Sequence, residues 1–166
     1  MPQLRRHARY TLLPRPRRQR RQEGGGAADV TQRITLTIPG PPVAKGRPRM
    51  TRAGRAYTPA KTRAAEGYLR HAISAQAGQP LLDGPLSVTV LAMLPIPASW
   101  SATKRKDAAA GIVRPTGKPD ADNLAKSICD AANGLLWKDD GQIVSLTASK
   151  TYSERPGWFL VVEQQA

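Results

Sequence analysis

The sequence has little of what soft-metal sites and covalent nucleophilic sites require. Its 166 residues include one cysteine, Cys129, and two histidines, His7 and His71. A single cysteine excludes an internal disulfide, and so few soft donors make a zinc site hard to assemble. His71 lies within a predicted helix without a marked partner, and Cys129 is most simply a small packing residue. Any metal bound here should therefore have hard oxygen ligands.

Long apolar runs and acidic residues are scarce as well. The most apolar stretch, residues 86–98, contains two prolines and is far shorter than the ~20 residues of a spanning helix. We expect a soluble cytoplasmic protein with no membrane partner, too short for a two-domain dinucleotide-dependent enzyme and so without a small-molecule cofactor. Only 12 acids oppose 26 Lys and Arg residues, for a net charge of +14. That excess favours a polyanionic partner, nucleic acid first.

The first 30 residues differ in composition from the rest. They hold eight arginines against Glu23 and Asp29, and they end in a glycine run at 24–26. With few apolar groups to bury, residues 1–30 predict a disordered basic arm. A spurious upstream extension, a transit-like leader and an arm that adds DNA affinity remain alternatives. The remainder, residues 31–166, is predicted to form a single domain.

Within that domain, hydrophobic periodicity predicts the order β, α, β, α, β, β. Alternation predicts strands over 33–38, 86–94, 142–150 and 158–163, and helices are predicted from Thr58-Pro59 to about 76 and from about 120 to Asn133-Gly134. Residues 95–117 are rich in Pro, Ser, Ala and Lys and predict a mobile loop that could contain a short helix. In the second helix, one buried face is expected. It comprises Leu124, Ile128, Ala131 and Leu135.

Carboxylates gather in one short window of this basic chain. They are Asp120, Asp122, Asp130, Asp139 and Asp140. Because like charges repel, such a cluster calls for a compensating cation. If the helix start and the strand start lie side by side, three or four carboxylate oxygens converge into a site for Mg²⁺, with Mn²⁺ as a substitute. A metal there would activate water for phosphodiester hydrolysis, and Lys126 would stabilise the transition-state charge.

Simpler interpretations exist for each acidic pair. Asp120 and Asp122 could cap the exposed N–H groups of a helix start, and Asp139 and Asp140 could be turn residues. Asp122, Lys126 and Asp130 are spaced i, i+4, so Lys126 could neutralise either neighbour in a solvated salt-bridge ladder. It is less favoured that one pair serves only as helix caps and the other only as turn residues.

A second cluster, upstream, is purely basic. Between residues 45 and 61, glycine, proline and one tyrosine separate six cations without a single acid, a composition suited to a loop that grips phosphates. We assign to DNA binding Lys45, Arg47, Arg49, Arg52, Arg55 and Lys61, together with Lys118 at the head of the acidic stretch.

The acidic stretch resembles a known family signature. Lys-Pro-Asp-x-Asp-Asn-x-x-Lys at 118–126, an aspartate four residues later, Asn-Gly, and Trp-x-Asp-Asp-x-Gln-Ile at 137–143 are similar to the RusA family of Holliday-junction resolvases, common in prophages. The resemblance spans about residues 33–164. It implies a small α/β homodimer with a mixed sheet of about four strands and two main helices. It also implies paired nicking of four-way DNA junctions with Mg²⁺ or Mn²⁺, in DNA recombination and repair.

The same resemblance implies residue roles. Asp120, Asp122 and Asp140 match the essential metal-site carboxylates, Asp139 an accessory one, and Lys126 the catalytic lysine. The arginine-rich arm departs from the family pattern and leaves the true start of the chain open. A function of a different class remains as the alternative: a non-catalytic, architectural DNA- or RNA-binding protein, which the charge alone would suit equally well.

Overall fold

The computed structural model describes residues 32–46, 49–50, 52 and 54–165, and the proposed arm at 1–30 lies outside them. In chain order, the described elements are β1 Arg33–Pro39, β2 Arg49–Met50, β3 Ala56–Tyr57, α1 Ala60–Ala77, β4 Leu86–Pro95, α2 Ala102–Ala109, α3 Ala121–Ala132, a 3₁₀ turn Asp140–Gln142, β5 Ile143–Ser153 and β6 Gly157–Gln164. The result is an α/β domain.

Strand alternation builds a mixed four-stranded sheet in the order β1–β6–β4–β5. β6 pairs antiparallel with β1 and β4, whereas β4 and β5 run parallel. Every second residue of β4, from Leu86 to Leu94, is buried, because successive side chains of a strand point to opposite faces. The parallel pairing places Leu86 opposite Ile143, so the turn before β5 lies at the amino end of β4.

α1 and α3 pack against each other, α1 against β1, and α3 against β4 and β5. The predicted apolar face of α3 is confirmed, since Leu124, Ile128 and Ala131 are all buried, as is Leu135 beyond it. Gly134 follows with φ of 73°, the left-handed conformation expected of a glycine that ends a helix. No helix in the described part of the chain is long and apolar enough to cross a membrane.

One local prediction is wrong and two are refined by the structure. α1 begins at Ala60 with Pro59 as its N-cap and no side-chain cap, so Thr58 does not cap it. The short helix allowed for residues 95–117 is present as α2, so the described residues form three α-helices. The basic loop contains the short hairpin β2–β3, which is too brief for a periodic signal to reveal.

Candidate active site

The start of α3 carries two carboxylates, Asp120 and Asp122, that are free to bind a ligand. Asp120 occupies the N-cap position in extended backbone conformation, yet its side chain makes no capping hydrogen bond. Asp122 lies in the first turn, and both residues are exposed. The interpretation of this pair as ordinary helix caps is therefore wrong for Asp120, and both carboxylates remain accessible to a ligand.

A groove between α3 and β5 brings three of the predicted catalytic residues together. Its volume is about 530 Å³, and Asp122, Lys126 and Asp140 line it. The apolar part of its lining comprises Ala125, Cys129, Ile143, Leu146 and Ala148. Residues 18 positions apart thus share one cleft, because the chain turns back after α3 and enters β5 beside the helix.

Asp140 is held in place by an indole. The buried Trp137 donates from Nε1 to Asp140 Oδ1 at 2.8 Å, and its side chain is fully enclosed in the core. This bond fixes one carboxylate oxygen and leaves Oδ2 for another ligand. Trp137 belongs to the sequence motif at 137–143, but the sequence assigned no role to it. Its place in that motif was the one indication that it contributes to the site.

Gln142 fixes the turn that carries Asp139 and Asp140. Its side-chain oxygen accepts from the backbone N–H groups of Lys138 and Asp139. Its amide nitrogen donates to the carbonyls of Leu82 and Gly84, in the segment just before β4. The turn is thereby anchored to the segment that leads into the neighbouring strand, which sets the position of Asp140.

Asp139 serves that turn through its side chain. Its Oδ1 accepts from the Gly141 N–H at 2.7 Å, and a capping box joins it to Gln142. The turn interpretation therefore describes Asp139 well. Its carboxylate does not line the groove shared by Asp122 and Asp140.

Asp120 faces a second, more polar groove of about 760 Å³, whose lining also includes Lys45, Gly46, Lys118 and Asn123. The chain that enters Asp120 is tethered by Lys150 of β5. Lys150 Nζ donates to the carbonyls of Gly117 at 2.6 Å and Pro119 at 2.8 Å. Sequence reasoning missed this lysine, because it lies 30 residues after Asp120 and belongs to no acidic motif.

The donor chemistry of the first groove fits a hard divalent cation. Two carboxylates face one cleft, and Mg²⁺ is commonly held by one or two carboxylates, with water and substrate phosphate completing the shell. Within the described ranges, no group of three or more acidic, histidine or cysteine side chains is arranged to hold a metal. Asp122 and Asp140 share one groove, and Asp120 lies in the adjacent one.

The salt-bridge ladder on α3 is not formed either. Asp130 pairs with Lys45, whose backbone N–H also donates to the Asn123 carbonyl at 3.2 Å. Lys126 is exposed and makes no ion pair with any residue that the structure describes. The alternative in which Lys126 neutralises Asp122 or Asp130 is not realised among the described residues, and Lys45, from a distant loop, pairs with Asp130 instead. The Lys126 ammonium therefore remains available in the groove.

Most of the predicted DNA-binding cations that the structure describes are at the surface. Arg52, Arg55, Lys61 and Lys118 are exposed, whereas Lys45 is partly buried in its ion pair with Asp130. Arg47 and the side chain of Arg49 lie outside the described residues.

Neither a thiol nor an imidazole offers an alternative nucleophile. Burial, reinforced by the negative charges of Asp140 and Asp130, raises the pKa of Cys129 to about 12, so the thiol is neutral near pH 7. His71 is exposed on α1, outside both grooves, and His7 falls in the part of the chain that is not described. The acid and lysine cluster is thus the chemistry that the grooves offer.

Comparison with known proteins identifies the family of the chain. The family model described as endodeoxyribonuclease RusA matches residues 39–163, which include both grooves. An uncharacterized protein of Bacillus subtilis (strain 168), YqaN, is 42% identical over 128 residues, covering 74% of this chain and 90% of YqaN. Because the family model matches most of its length, the chain belongs to the RusA family of endodeoxyribonucleases.

Proposed function

We propose that this protein is a metal-dependent, structure-selective endonuclease that resolves four-way DNA junctions by paired symmetric nicks, in DNA recombination and repair. The observation that carries the proposal is the joint position of Asp122, Lys126 and Asp140 in one groove. None of the three is used up by a helix cap or an ion pair in the described structure.

Each residue has a chemical task in this proposal. Asp122 and Asp140 would hold Mg²⁺, with Mn²⁺ as a substitute, and Asp120 would add an oxygen ligand from the adjacent groove. The metal would supply an activated water and shield the charge of the scissile phosphate. Lys126 would place its ammonium where negative charge develops in the transition state. Lys118 and the basic residues at 45–61 other than Lys45, which pairs with Asp130, would hold the flanking phosphates.

The direct experiment uses a labelled synthetic four-way junction with and without Mg²⁺. We expect cleavage only with the metal, and we expect Asp122→Asn and Asp140→Asn to abolish it while junction binding is kept or slightly strengthened. Each variant loses metal affinity and, at the same time, negative charge beside the phosphates. Glu154→Gln, an exposed acid in the turn before β6, removes the same charge away from both grooves and should cut normally. Near-normal cleavage by both aspartate variants would contradict the metal assignment.

Action as a homodimer belongs to the same proposal, because a four-way junction has approximate two-fold symmetry and needs two equivalent cuts. One supporting observation is the edge of β5, which among the described strands pairs with β4 on one side only. Val144 on this strand is 66% exposed and lines neither groove, and residues 143–149 contain no charged side chain that would oppose pairing with a second strand. Light scattering tests the dimer; Val144→Lys should yield monomers, and an unaltered mass would exclude this edge as the interface.

A non-catalytic nucleic-acid-binding protein is the alternative. It would bind junctions equally well with and without Mg²⁺ and leave them intact. The free carboxylates at Asp120 and Asp122 disfavour it, since they weaken polyanion binding unless a cation occupies them. We further propose that the enzyme acts in the cytoplasm of a bacterial cell, where its DNA substrate lies.

A further inference from the structure

The segment between β4 and the acidic stretch carries a basic surface that no motif indicated. Four cations of this segment, which we name the α2 surface, are exposed, and none forms an ion pair with any described residue. They are Lys104, Arg105, Lys106 and Arg114. Asp107 is the one acid within residues 96–117. The α2 surface is therefore strongly positive and unneutralised.

Aromatic packing fixes this surface to the sheet. The ring of Trp100, just before α2, packs edge-to-face on Tyr152 of β5, with centroids 5.1 Å apart and an interplanar angle of 72°. Lys104 Nζ lies 4.0 Å from the centroid of the same indole. The Ser101 side chain accepts from the Lys104 backbone N–H, and Ala108 is fully buried. Lys104, Arg105 and Lys106 thus lie on a docked helix, and Arg114 follows it in the segment that leads to the acidic stretch.

The same end of β5 also positions the candidate active site. Lys150 holds the carbonyls of Gly117 and Pro119, directly before Asp120. Lys150 and Tyr152 are two residues apart in one strand, a separation of about 6.6 Å along it. β5 therefore sets the α2 surface and Asp120 in a fixed relation, so a ligand at one can extend to the other.

We propose that the α2 surface binds the phosphate backbone of a duplex DNA arm that leads away from the strand at Asp120. The inference rests on the proposed function. Three cations on a docked helix, with a fourth, Arg114, shortly after it, suit the regular phosphates of a duplex. A lipid surface would need several large apolar side chains beside the cations. Within residues 96–117, Ile112 is the one exposed large apolar residue, and the exposed residues of α2 itself are Ala102, Thr103, Lys104, Arg105, Lys106 and Ala109.

Salt dependence of binding measures these contacts without any cleavage. The triple variant Arg105→Ala/Lys106→Ala/Arg114→Ala keeps Lys104 on its indole and so spares the docking of α2. Three lost phosphate contacts should reduce the slope of log affinity against log salt by about 2.7. Affinity should consequently fall about 40-fold more at 50 mM than at 200 mM salt. The single variant Arg105→Ala should reduce the slope by about 0.9.

Arg33→Ala is the matched control. It removes one arginine from β1, the sheet edge opposite β5, and should leave the slope unchanged. Binding is measured without Mg²⁺ on an intact junction and on single-stranded DNA of equal length, with circular dichroism to confirm folding. A triple variant with the slope of the Arg33→Ala control would overturn the proposal, and an equal effect on single strands would overturn the duplex assignment. Failure of the endonuclease proposal would show separately, as wild-type protein that binds junctions but does not cut them with Mg²⁺.

Discussion

Replacement of Lys126 by alanine separates catalysis from stability most cleanly. The lysine side chain is exposed and makes no ion pair with the described residues, and its neighbour Asp130 is neutralised by Lys45 instead. Truncation consequently opens no cavity and strands no buried charge. Alanine is also a good helix former, so the change in the free energy of unfolding should stay within about 0.5 kcal/mol. For a domain of this size that corresponds to a Tm shift of about 1–2 °C.

The effect on the rate should be far larger. Loss of one preorganised transition-state contact commonly costs on the order of 10²- to 10³-fold in rate, or about 2.7–4 kcal/mol. Binding should weaken only modestly, since one phosphate contact among many is removed. Lys126→Arg should restore little activity, because a planar guanidinium differs from a compact ammonium in stem length and donor geometry.

The assay is a single-turnover cleavage measurement on saturating junction with Mg²⁺, combined with thermal unfolding of the same sample. Arg33→Ala, which removes one positive charge far from the groove, should cut at the wild-type rate. An unchanged rate for Lys126→Ala would refute the catalytic assignment. A Tm loss of several degrees would refute the reasoning that Lys126 makes no structural contact.

Three further outcomes follow from the contacts around the grooves. Trp137→Phe removes the hydrogen bond to Asp140 but keeps a buried ring. The Mg²⁺ concentration that gives half-maximal cleavage should therefore rise about 10- to 100-fold. An unchanged half-maximal concentration would mean that the indole does not position the carboxylate. Lys45→Met leaves the half-buried Asp130 unpaired and should cost about 1–3 kcal/mol in urea unfolding, with partial recovery when Asp130→Asn is added. The pKa of Cys129 is raised from 9.0 to about 12, so above pH 9 the unfolded chain releases a proton that the folded chain retains. Stability should therefore fall by up to about 1.4 kcal/mol per pH unit between pH 9 and 12, and urea unfolding of Cys129→Ala at pH 8 and pH 10 should lack this component.

Local periodicity in the sequence was sufficient to predict most elements of the fold. The spacing of Leu124, Ile128 and Ala131 predicted the buried face of α3, and Asn133-Gly134 predicted its end. Alternation located all four strands of the sheet, with β5 extending to Ser153, beyond its predicted end. Such patterns depend only on neighbouring residues, because a helix or strand must bury one face whatever it packs against.

Long-range pairing was decided by the tertiary structure alone. The sequence placed Lys126 beside Asp130, but the fold brings Lys45 to that carboxylate from 85 residues away. Asp140 enters the groove with Asp122 because β4 and β5 pair in parallel and because the Gln142 side chain bonds the turn to the segment before β4. The Asp139 side chain instead bonds within its own turn. Packing of Trp100 on Tyr152 fixes α2 against the sheet, whereas composition indicated only a loop that could contain a short helix. Each of these contacts joins segments whose separation in the chain carries no periodic signal, so only the packed sheet and helices determine it.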